Sequence, residues 1–166
     1  LVDIPPSDTI GVKNLYVENI DGGRTSWKFE YVSPGSRPLI DTITPRSAIL
    51  NPQGELVKYL VEASVEGGIY ITIEGYDFRQ GVEVFIDGVP ADVISRIPLQ
   101  EVDDEGRIKT RLIVRVPKGS STDINKEKRI VVLNPDNGFA DSTIAAYLVH
   151  GVPYYFVYRI PESKPF

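Results

Sequence analysis

Gly67-Gly68-Ile69-Tyr70-Ile71-Thr72-Ile73-Glu74-Gly75-Tyr76-Asp77-Phe78 is the stretch on which the fold turns. Ile69, Ile71 and Ile73 recur at every second residue, so they share one face of an extended strand. The two glycines before them punctuate the chain as a turn does. The same period continues downstream. Val82, Val84 and Ile86 alternate with Glu83 and Phe85, and Asp87-Gly88 then supplies a two-residue hairpin turn. Ile108, Thr110, Leu112, Val114 and Val116 alternate with Arg107, Lys109, Arg111 and Arg115. Residues 129–133 form a further run, closed by Asn134-Pro135-Asp136-Asn137-Gly138. Tyr154, Phe156 and Tyr158 alternate with Tyr155, Val157 and Arg159, which makes the first three core residues. Pro45, Pro117, Pro153 and Pro161 fall at run ends, where a missing N–H harms no ladder. Helical spacing is confined to residues 56–63, through Leu56, Val57, Leu60 and Val61, and is read as a short helix or an irregular loop. Many short strands with frequent Gly and Pro turns predict an all-β, antiparallel β-sandwich.

Composition narrows the chemistry. The 166 residues allow one domain, or one domain with a fragment of another, and 42% hydrophobic residues provide a core. With no Cys, there is no disulfide scaffold, thiol nucleophile or Cys-ligated metal. A single histidine, His150, makes no metal cluster and leaves little room for a Ser-His-Asp triad. A net charge of −5 argues against general nucleic-acid affinity. No apolar run approaches the roughly 20 residues of a membrane helix. No Met start and no signal peptide are present, so the chain reads as a piece of a longer protein.

Self-comparison supplies the most specific internal signal. Val17-Glu18-Asn19-Ile20-Asp21-Gly22-Gly23 matches Val132-Leu133-Asn134-Pro135-Asp136-Asn137-Gly138 at an offset of 115. Trp27, Phe29 and Tyr31, with the following Pro34-Gly35-Ser36-Arg37-Pro38, match Tyr154, Phe156 and Tyr158 with Pro161-Glu162-Ser163-Lys164-Pro165 at an offset of 127. The difference is a twelve-residue insertion between Gly138 and Pro153. Each matched unit reads as a strand, a polar turn, a returning aromatic strand and a Pro-bounded linker. Gly23 and Gly138 are expected to take the positive φ of the turn. Residues 1–37 then close one domain, and residues 38–166 form the complete next one. The alternative is a single larger sandwich that includes residues 1–37. The terminal strands would need cover, either by docking on the following domain or by strand exchange into a dimer.

The order of these motifs resembles the IPT/TIG domain. It opens with Leu39-Ile40-Asp41-Thr42-Ile43-Thr44-Pro45 and continues through the Gly67–Phe78 stretch, Val84-Phe85-Ile86-Asp87-Gly88-Val89-Pro90-Ala91, Ile113-Val114-Arg115-Val116-Pro117 and Phe156-Val157-Tyr158. The resemblance implies an immunoglobulin-like sandwich, with residues 1–37 as the C-terminal strands of a preceding repeat. In this motif Gly75 is expected to end its strand and let the chain turn, while Phe78 folds back as a core plug. Residues 50–66 and 139–153 are longer than the family pattern. Family members bind proteins, glycans or DNA, or space other domains, so the resemblance implies binding or spacing and no cofactor.

Candidate contact residues follow from charge and aromatic placement. Arg107, Lys109, Arg111 and Arg115 form a basic stripe able to meet an anionic partner, or to pair with neighbours such as Glu83 or Glu101. Tyr147 and Tyr155 are the candidates for an exposed protein or sugar contact. Asp103-Asp104-Glu105-Gly106 reads as a solvated turn, with calcium binding as its alternative and Asp21 and Asp136 in similar turns. Paired carboxylates for glycoside hydrolysis have no evident cleft. His150 reads as a surface residue. The expected role is a non-catalytic spacing or adhesion module of a secreted or cell-surface bacterial protein with tandem repeats. Its partners would be other domains of the same chain, and protein or polysaccharide. The alternatives are a glycan-positioning accessory domain of an exported carbohydrate-active enzyme, and a DNA-contacting domain.

Overall fold

A computed structural model describes the backbone of residues 11–18 and 24–31, and residues 35–161 with their side chains. The chain divides into two compact units, Leu1–Gly35 and Ser36–Phe166. The first carries an antiparallel hairpin of β1 (Gly11–Glu18) and β2 (Arg24–Tyr31), with Leu15 opposite Trp27. Asp21, Gly23, Pro34 and residues 162–165, and the side chains of Trp27, Phe29 and Tyr31, lie outside the described residues.

The second unit is a two-sheet sandwich. Its strands are β3 (Leu39–Thr44), β4 (Ser47–Leu50), β5 (Leu56–Ser64), β6 (Tyr70–Tyr76), β7 (Glu83–Ile86), β8 (Val89–Val102), β9 (Ile108–Arg115), β10 (Glu127–Lys128), β11 (Ile130–Leu133), β12 (Phe139–Asp141) and β13 (Tyr154–Arg159). One sheet runs β12-β11-β7-β8-β9-β6-β3 and the other β10-β13-β5-β4. Inward rows meet between them: Ile40, Ile43, Ile71, Ile73, Leu112, Val114, Val84 and Val132 from the first, and Val61, Ala63, Phe156 and Tyr158 from the second. Phe78 is buried in that core. Asp87 and Gly88 both take positive φ, 49° and 82°, and make the tight β7–β8 hairpin.

Several expectations change. Residues 56–63 are neither helix nor loop: they lie in β5, paired antiparallel to β4 and parallel to β13. The inward row there is Tyr59, Val61 and Ala63; apolar Leu56 and Leu60 on the other face mimic helical spacing. The β5–β13 pair also makes the sandwich not wholly antiparallel. Gly75 does not end β6, which continues through Tyr76, and the left-handed residue is Asp77 at φ 60°. Gly75 serves close approach instead. A Cβ there would lie 2.1 Å from the Leu39 carbonyl oxygen and 2.4 Å from the Phe78 ring. Ile108 heads its alternating row but is half exposed, because it pairs with Val102 beside the hairpin turn.

The matched segments are also arranged differently in the two units. In the second, the strand returning beside β11 is the short β12, and the aromatic strand β13 belongs to the opposite sheet. The residues between them carry the chain across. Buried Ser142 stitches this crossing: its Oγ accepts from the Ile130 amide at 2.9 Å and donates to the Tyr154 carbonyl at 2.8 Å. Among the described residues no helix is long and apolar enough to cross a membrane.

Candidate functional site

The Asn134–Gly138 turn is more than a hairpin end. Buried Asn134 donates from Nδ2 to the Asp77 carbonyl at 2.8 Å and accepts from the Arg79 amide at 2.9 Å. The two loops are thereby bound together. Asn137, at φ 71°, takes the left-handed position expected of Gly138. Gly138 has another task. A Cβ on it would lie 2.0 Å from Ser36 Oγ, so only glycine lets Ser36 seat there.

Ser36 and Arg37 are gripped from both loops. The Ser36 amide and hydroxyl donate to the two carboxylate oxygens of Asp136 at 2.6 and 2.5 Å. The Arg37 amide donates to Asp77 Oδ2 at 2.7 Å, and Arg107 Nη1 donates to the Arg37 carbonyl at 3.0 Å. Arg37 also pairs with Glu105. The Ser36 donors first, then the Gly138 amide and Arg79, hold the Asp136 carboxyl down at about 2.

The basic stripe is mostly occupied. Lys109 Nζ lies 2.9 Å from Asp41, 3.3 Å from Glu101 and 3.9 Å from Glu74. Asp41 first, with Glu101, holds its ammonium above the usual lysine range against the opposing effect of burial. Arg111 pairs with Glu74 at 3.2 Å, and Arg107 with Asp103 at 2.6 Å. Arg115 makes no ion pair among the described residues and faces Asp92 across the ladder. The stripe therefore does not present four free cations. Asp103 is turned inward on its own hairpin, accepting from the Glu105 and Arg107 amides. Among the described residues no three acids or histidines are grouped to hold a metal ion.

The two tyrosines lie apart from the stripe. Tyr147 sits in a 3-10 turn, Ala145–Tyr147, with its ring 5.1 Å from that of Phe139, and is partly buried against the core. Tyr155 is half-buried on the outer face of β13, with Lys58 Nζ 5.5 Å from its ring centre.

A cleft of about 230 Å³ opens at the sandwich edge, where the chain passes between the sheets. Asp41 and Thr42 come from β3, Tyr59 from β5, Tyr154 from β13, and Arg46 from the corner after Pro45. A β-bulge at Asp41 shifts the register against β6. Asp41 Oδ1 lies 2.9 Å from His150 Nε2, while its Oδ2 faces Lys109. Arg46 lies over Tyr59, 4.1 Å from the ring centre, and donates to the Tyr154 hydroxyl. Tyr59 and Tyr154 stack at 4.9 Å. Sequence reading missed this group because its members come from separate strands. Pairing Tyr59 with Tyr154 requires the parallel β5–β13 register. No protein-family model matches the chain, and no curated protein matches its sequence.

Proposed function

We propose that the chain is a non-catalytic spacing module of a secreted or cell-surface bacterial protein built from tandem immunoglobulin-like repeats of the IPT/TIG kind. Residues 1–37 close one repeat and residues 38–166 form the next. The observation that carries this reading is the grip on Ser36 and Arg37 by Asp136, Asp77 and Arg107. A spacer must transmit direction, and a connector anchored by its backbone leaves the sandwich at a defined point. The Asp-x-Gly turn and the Ser-Lys/Arg-Pro connector both recur at the repeat offsets, as a recurring joint requires.

Backbone ¹⁵N relaxation on the whole chain tests this. The Ser36 and Arg37 amides are expected to be as rigid as those of β3, and to become loop-like in Asp136→Ala. Equal mobility in the native chain and the variant would remove the joint from the account.

A further inference from the structure

We infer that the cleft between β3 and β13 is a binding site for a small carboxylate about one sugar ring in size, with Arg46 as its anchor. This does not depend on the spacing role. It rests on which polar groups in the cleft are already used. Both carboxylate oxygens of Asp41 are taken, one by His150 and the other by Lys109. Asp41 thus supplies a fixed wall and orients His150. The guanidinium of Arg46 is different: its one protein hydrogen bond among the described residues is to the Tyr154 hydroxyl, and it pairs with no carboxylate there. Four of its five N–H donors are left for a ligand.

Tyr59 lies beneath that guanidinium, and the Tyr154 hydroxyl fixes its edge. The fork is therefore held in one plane, which is the geometry a carboxylate's two oxygens match. His150 is 68% exposed and its Nε2 is committed to Asp41, which leaves Nδ1 as the ring nitrogen for a further polar contact. Leu148 and Val152 add apolar lining, and Thr42 stands beside them. The volume of about 230 Å³ is below that of pockets for drug-sized ligands and suits a single ring. The bulge at Asp41 is the kind of irregularity that re-aims side chains at a sheet edge.

The lone histidine makes the test direct, because its ring signals need no assignment among several. Glucuronate is titrated into the whole chain at constant pH and ionic strength, with glucose and acetate as comparisons. Saturable shifts of the His150 ring and the Thr42 amide are expected with glucuronate. Glucose should leave them unmoved, and acetate should act only at concentrations at least about tenfold higher. Arg46→Gln should weaken glucuronate binding by about tenfold or more, and Arg46→Lys by a smaller factor, since charge without the fork is retained. Unfolding temperatures of both variants establish that the fold is intact. No shift, an equal response to glucose, or undiminished binding in Arg46→Gln would overturn the assignment. Acetate as effective as glucuronate would overturn the ring-sized ligand.

Discussion

Asp136 shows how much one residue can decide. Its carboxylate receives the Ser36 hydroxyl, the Ser36 amide and the Gly138 amide, all of which favour the charged form. Its carboxyl is accordingly held at about 2, against the usual aspartate value of 3.8. A lowered folded-state value means that this stabilisation is complete above about pH 4 and is lost as pH falls toward 2. The Ser36 amide resonance should be flat from neutral pH to about 4 and then titrate with a midpoint near 2. A midpoint near the usual aspartate value would mean that the grip does not form in solution. The residue types at this turn were legible in the sequence: Asn, Asp and Gly there announced a turn. Their actual tasks were not. Asn134 binds a distant loop and Gly138 admits Ser36, and the two tasks depend on contacts across 57 and about a hundred residues of chain. Gly75 is a similar case, a glycine required by the approach of Leu39 and Phe78 rather than by its own φ.

At the level of elements, period-2 rows located β6, β7, β9 and β13, and a short apolar run closed by a polar turn located β11. The reading failed at β5, where apolar residues lie on both faces, and alternation is the signal such a strand loses. It also could not foresee that β12 and β13 would part into different sheets. Ser142 makes that parting firm, since its hydroxyl serves an amide from β11 and a carbonyl from β13 in a fully buried position. Ser142→Ala leaves both groups without that partner. The expected loss is about 1–3 kcal/mol, the cost of unsatisfied buried polar groups, read as a lower denaturant midpoint with an unchanged slope. An unchanged midpoint would mean that the sheets are held at this corner without the hydroxyl. The candidate cleft depends on the same crossing, because His150 and Val152 line it from the connecting segment. Its polar members were individually visible in the sequence. What was missing was the register that brings them together.

For the whole molecule, the question is whether the Ser36–Phe166 unit satisfies itself. Its core cluster draws on both sheets of that unit, and each of its strands pairs within it. Among the described residues no buried side-chain polar atom lacks a hydrogen-bond partner. A unit that fills its own core and meets its own polar demands has no thermodynamic need of the preceding strands. A chain beginning at Ser36 should therefore unfold within about 3 °C of the main transition of the full chain, a shift equivalent to less than about 1 kcal/mol. It should also scatter light as a monomer. This outcome separates the tandem arrangement from the single larger sandwich, because the two differ in what residues 1–35 contribute to stability. A large drop in melting temperature, or aggregation of the shorter chain, would show that β1 and β2 complete this core. The Asp-x-Gly repeat would then be two hairpins of one domain, and the grip on Ser36 an internal loop contact rather than a joint.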